Sequence, residues 1–327
     1  MSVCENCVDL ETIYLSKLTK LTPLSVDYLI KCENLNSFES SGCVEMMNST
    51  ALLKLLKNCT KIDSLDITEC PNISEETFEI VSRNLMKITW LFLGSLPTIN
   101  DGLFQSAHKI NIINVSVLNL CFTEVTSYGV SLILNHFRYL KTIYLASCKN
   151  LHLNQDRLVS NGKKKVLEGL FLSENPLLSD AFFLKIINDS PYLRDIVLRG
   201  NKNLTDSSLS QIVSCCPSVA SLDFSNCVSL TEKTICSLVK AVQLDTLKVG
   251  GINSITSDSL NQVLENCINL KVLILSNCLS VKNTIFNGVL ACQSLEMISL
   301  TGTCCTIQSA KELLEKKKMT ISLKGLK

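Results

Sequence analysis

Seventeen cysteines and three histidines, His108, His136 and His152, are the residues of this 327-residue chain best suited to nucleophilic or metal chemistry. Thiolates bind metals, attack electrophiles or pair as disulfides, and each role demands its own spacing. Cys4 and Cys7 form a single C-x-x-C without the second pair that a four-ligand zinc site requires. A Cys–His or Ser–His couple needs a shared cleft. His108 and His136 fall on predicted helices or their ends, so no base is placed beside a nucleophile. No G-x-G-x-x-G or Walker-type loop occurs, and Gly250-Gly251 reads as a turn. The expectation is therefore no enzyme, no cofactor and no metal. What remains is to explain cysteine pairs such as Cys216 and Cys227 in "CPSVASLDFSNC".

Their spacing belongs to a period. "CPSVASLDFSNC" at 216, "CINLKVLILSNC" at 267, "CTKIDSLDITEC" at 59 and "CENLNSFESSGC" at 32 share the template C-x-x-L-x-x-L-x-L-x-x-C. With the first apolar residue as origin, copies start at Leu10, Leu35, Ile62, Ile88, Val115, Leu140, Leu167, Leu193, Val219, Leu244, Leu270 and Leu295, in steps of 25 to 27 residues. Such self-similarity means a solenoid whose units bury their apolar faces only against one another. Apolar residues at the origin, three on and five on predict a short strand, as in Leu193, Ile196 and Leu198. Position eight turns the chain with Cys or Asn. Position eleven is an apolar anchor, followed by a Ser or Thr N-cap such as Ser74, Thr205, Thr231 or Thr256. An acid often follows, where the helix dipole favours it. Leu209, Ile212 and Val213, or Ile235, Leu238 and Val239, then recur at helical spacing.

These units resemble the cysteine-containing leucine-rich repeats of the F-box/leucine-rich-repeat proteins and their F-box-less relatives. The resemblance covers nearly the whole chain, about 12 repeats and a partial thirteenth in "MTISLKGLK". It implies an α/β solenoid, a horseshoe with parallel strands on the concave face and helices on the convex face. Elementary geometry agrees, since parallel strands need crossovers and a helix is wider than a strand. Residues 1–327 are expected to be a single leucine-rich-repeat domain. Register begins at Leu10, so no counterpart of the leading helical F-box of those relatives is expected within these residues. Eleven cysteines fall three before the origin or eight after it and are expected to be buried packing residues, a small hydrophobe with a weak S–H donor.

Composition narrows the partner. With 31 basic against 30 acidic residues the net charge is +1, and the longest basic runs are Lys163 to Lys165 and Lys316 to Lys318. Neither nucleic acid nor membrane is expected as a partner, and no secretory leader is visible in "MSVCENCVDLETIYL", so a cytoplasmic location is expected. Positions two, four and six of each unit point away from the core. There Trp90, Phe92, Val117, Tyr144, Phe171 and Val197 form an expected protein-binding patch, with Arg199 beside it and Glu39, Asp66 and Glu69 flanking. The resemblance implies a target-recognition adaptor linked to a ubiquitin ligase. A structural subunit of a cytoskeletal or axonemal assembly is the alternative, with further contacts at ends that lack a polar capping unit.

Overall fold

In every repeat a three-residue strand is formed by positions two to four, and the apolar residues around it face the helices. The structure, a computed structural model, describes residues 6–77, 87–105, 114–148, 150–151 and 163–322. It comprises two compact units, Met1–Val166 and Leu167–Lys327. In the first unit the strands are β1 (Thr12–Tyr14), β2 (Ser37–Glu39), β3 (Ser64–Asp66), β4 (Trp90–Phe92), β5 (Val117–Asn119) and β6 (Thr142–Tyr144). They pair parallel in chain order, one repeat against the next without a register slip. The second unit repeats the pattern with β7 (Gly169–Phe171), β8 (Asp195–Val197), β9 (Ser221–Asp223), β10 (Thr246–Lys248), β11 (Val272–Ile274), β12 (Met297–Ser299) and β13 (Thr320–Ser322). Its strands are likewise parallel neighbours in sequence order. The last of them lies in "MTISLKGLK", where a partial thirteenth repeat is expected.

The core is the predicted ladder. Ile62, Leu65 and Ile67, and likewise Leu193, Ile196 and Leu198, are buried at the origin, three on and five on. Ser40 stands at position five of its repeat and is equally buried, with its hydroxyl donated to the Asp66 carbonyl at 3.3 Å. The first repeat differs: Leu10, Ile13 and Leu15 are half-buried, and Leu18 and Leu24 are exposed.

Caps start the helices where the sequence places them. Thr205, Thr231 and Thr256 each accept a backbone N–H of their own first turn through the side chain. The helical run after Thr205 is interrupted, with helices Asp206–Leu209 and Ile212–Cys215, and beside the break Ser210 returns its hydroxyl to the Asp206 carbonyl at 2.5 Å. Val213 and Val239 are half-buried.

Cysteine at position eight works as a donor. Cys43 Sγ donates to the Leu15 carbonyl at 2.9 Å, Cys148 to Leu120 at 3.1 Å, Cys227 to Leu198 at 3.1 Å and Cys278 to Val249 at 3.1 Å. In each case the acceptor is position five of the preceding repeat. Asn201 does the same to Leu172 at 2.8 Å and also reaches its own Leu198 carbonyl at 2.6 Å. Cysteines three before the origin repeat the device at the helix ends, as in Cys267 to Leu238 at 3.3 Å. Burial, the leading cause, pushes the thiols of Cys59, Cys70, Cys148 and Cys267 up to about 11 and those of Cys216 and Cys227 up to about 12. Cys7 departs from the expectation: it is exposed, since no repeat precedes it in the described residues to cover it. Cys305, outside the template, is buried.

Candidate functional site

A turn that ends each strand decides what the strand face presents. At position seven every described turn has positive φ, including Lys17, Glu69, Ser95, Phe122, Ser147, Glu174, Asn226 and Asn277 at 56 to 62°. Glycine fills it at Gly42, Gly200, Gly251 and Gly302. This left-handed residue turns its N–H onto the next repeat's position-six carbonyl, as Glu69 to Gly94 at 3.0 Å and Gly200 to Ser225 at 2.8 Å show. Backbone groups are thereby satisfied between repeats, and side chains at positions two, four and six are left for other work.

In the first unit the register sets these side chains in two rows. Position two reads Thr12, Ser37, Ser64, Trp90, Val117 and Thr142, and position four reads Tyr14, Glu39, Asp66, Phe92, Asn119 and Tyr144. Trp90 is 51% exposed and its ring lies 6.5 Å from that of Phe92, tilted by 38°. Phe92, Val117 and Tyr144 are half-buried, as neighbours about 4.8 Å apart lean on one another. The expected aromatic stripe is interrupted: Asn119 separates Phe92 from Tyr144 in the position-four row and accepts the Cys121 N–H at 2.9 Å.

What the register adds is on the other side of Trp90. Tyr14, Glu39, Asp66, Trp90 and Phe92 line one open groove of about 510 Å³. Glu39 accepts the Ser16 hydroxyl, and Asp66 accepts the Thr68 N–H at 2.8 Å. Burial pushes the Asp66 carboxyl upward, and the Glu39 and Glu69 carboxylates add to this against the Thr68 hydrogen bonding. Glu39 and Asp66 therefore belong to the groove itself, whereas Glu69 is at the turn. The sequence signal was an acid at position four in two successive repeats.

In the second unit Phe171 and Val197 are cross-strand neighbours and half-buried, and Arg199 is exposed at the end of the strand. Asp223 follows Val197 in the row, and Lys248 follows Asp223. Of the histidines, His136 ends helix Ser127–His136 with Nδ1 2.8 Å from the Leu132 carbonyl, while His108 and His152 lie outside the described residues, as does Cys4. Among the described residues no three His, Cys, Asp or Glu side chains converge as a metal site. No helix among them is long and apolar enough to cross a membrane.

No family model matches the chain. A segment of 121 residues is 29% identical to the antagonist of mitotic exit network protein 1 of Candida glabrata, covering 36% of this chain and 24% of that protein. The chain thus spans about a quarter of the length of that relative. Among solved structures it is similar to the Rad7 and Elc1 complex of yeast, with TM-score 0.57, 16% identity and coverage of 86% of this chain and 82% of the other. An internalin of Listeria monocytogenes gives 0.60 at 15% identity over 98% of this chain and 88% of its own. The TLR13–ssRNA13 complex gives 0.51 at 16%, over 97% and 49%. Identities this low carry the fold alone. By fold, then, this chain is a leucine-rich-repeat solenoid of the cysteine-containing kind.

Proposed function

We propose that the chain is a non-enzymatic scaffold that binds a protein partner on its strand face, as a target-recognition adaptor of the F-box/leucine-rich-repeat kind linked to a ubiquitin ligase in the cytoplasm. The observation that carries it is Trp90, half exposed beside Phe92 at positions the repeat does not use for packing. Large aromatics dominate interface energy and are costly to leave in water. Val117 and Tyr144 extend this surface in the first unit, and Phe171, Val197 and Arg199 are the proposed contacts of the second. The similar Rad7 is seen with Elc1, a precedent for a protein partner. Positions two, four and six of the first unit include carboxylates but no Lys or Arg, which disfavours a phosphate backbone.

Replacing both Trp90 and Phe171 by Ala should weaken partner capture by about 1–4 kcal/mol while leaving the melting temperature unchanged. Lost stability with retained binding would overturn the assignment. The exposed Leu18 and Leu24 and half-buried Ile13 of the first repeat favour a second reading, a subunit packed end-on in a stable assembly. Partners recovered through salt-resistant purification separate the two: ligase components fit the adaptor, cytoskeletal proteins the subunit.

A further inference from the structure

We propose that the groove of the first unit receives a cationic side chain, arginine in preference to lysine, carried by a basic segment of the partner protein; this rests on the scaffold reading above. Its walls are Tyr14, 68% exposed, and Trp90 with Phe92. Aromatic faces attract cations, and a planar guanidinium stacks on them as an ammonium cannot. Between those walls the register sets Glu39 directly beside Asp66, two carboxylates about one strand spacing apart, with Asp63 also lining the groove. Like charges opposed across a parallel pair destabilise one another unless a cation joins them.

The described residues do not supply that cation. Among the described residues no basic side chain forms an ion pair with Glu39, Asp63 or Asp66; the ion pair of this unit is Lys54 with Asp27, on the helix side. Nearby lysines are turned to neutral acceptors, Lys61 Nζ to Asn34 Oδ1 at 2.5 Å and Lys87 Nζ to the Thr60 carbonyl at 3.4 Å. An open groove of about 510 Å³ admits a long side chain together with the backbone that bears it. Aromatic walls, an acidic row and an absent counter-charge are complementary to a guanidinium and repel a phosphate.

The test uses the full chain and a fluorescein-labelled (Arg-Gly-Ser)4 peptide, followed by anisotropy. Its citrulline analogue, equal in shape and neutral, should bind at least about tenfold more weakly. Glu39→Gln with Asp66→Asn should weaken the arginine peptide by about tenfold, and Trp90→Ala by a similar factor, with circular dichroism unchanged. Asp223→Asn, a carboxylate on the second unit's strand face, should have no effect. Equal binding of the two peptides, equal loss from Asp223→Asn, no binding of the arginine peptide, or tighter binding of a single-stranded RNA would each overturn the proposal. Partner capture that depends on Trp90 and Phe171 but not on Glu39 and Asp66 would sink the cation site and keep the scaffold; capture indifferent to all four would sink both.

Discussion

The two units are each built on the same repeat template and differ in what they hang on it. On the strand face of the first, the charged residues are acids, Glu39 and Asp66, set among Tyr14, Trp90 and Phe92. On that of the second, Asp195, Arg199, Asp223 and Lys248 mix both signs, and hydroxyls satisfy one another, Ser276 with Ser299 at 3.0 Å and Thr301 with Ser322 at 3.2 Å. The second face is near charge balance, whereas the first is one-signed beside its exposed aromatics, which is the asymmetry the proposed partner would use. The fold uses the origin and positions three, five, seven and eight in both units. Positions two, four and six change from repeat to repeat, and the proposed recognition surface lies there.

That division can be broken from the ladder side first. Leu65→Ala in the first unit and Leu273→Ala in the second remove fully buried side chains from equivalent positions, and each should cost about 2–5 kcal/mol in urea unfolding. A melting curve for Leu273→Ala that overlays the parent would show the ladder to be decorative in the second unit. A smaller effect, about 1 kcal/mol, is expected for Asp206→Asn. Burial opposes ionisation of Asp206, but hydrogen bonds from Thr231 and Thr234 outweigh it and hold the carboxyl below its usual range. A depressed carboxyl stabilises the fold above its unfolded pKa, and this is lost as pH falls through the folded value. The gap between variant and parent should therefore be present at neutral pH and close in acid; a gap independent of pH would assign it to packing.

The smallest energetic effect is the sharpest probe of the cysteines. Native-state alkylation should label exposed Cys7 and Cys304 first and leave Cys216, Cys227 and Cys267 untouched until unfolding. Because burial holds the thiols of Cys216 and Cys227 at about 12 against an ordinary 9.0, the protonated form is favoured in the fold. That contribution is complete below about pH 9 and is lost as pH rises towards 12. Early labelling of Cys227 in the native protein would refute its place in the ladder.

The period made the ladder legible, because Leu, Ile and Cys recur at fixed offsets whatever lies between. Position seven was hidden: Gly42, Gly200, Gly251 and Gly302 hint at a left-handed turn, but Phe122 and Glu174 adopt the same φ without advertising it. The stacked packing of neighbouring repeats imposes it on them. The acids Asp180 and Asp206 after their N-caps were legible as dipole partners, yet both also bond the next repeat. Asp180 accepts the Thr205 N–H at 2.9 Å and hydroxyl at 2.6 Å, across a separation no local pattern reveals. From register alone Trp90 and Phe92 could be read as lying off the core, and of the two Trp90 is exposed while Phe92 is half-buried. Their groove with Tyr14 could not be read, because it depends on side chains from three further repeats leaning the same way.

Each position-eight thiol reaches back to the repeat before it, never forward. The solenoid therefore has a direction in time. A chain made from its N-terminus at about 5–20 residues per second completes one 25- to 27-residue repeat in on the order of 1–5 s. Where the next repeat carries Cys or Asn at position eight, as at Cys227 and Asn201, the position-five carbonyl of the turn before gains its side-chain donor only once that repeat has been made. Leu96 and Ile252 bring no such donor, so this delayed closure belongs only to the repeats that carry Cys or Asn there.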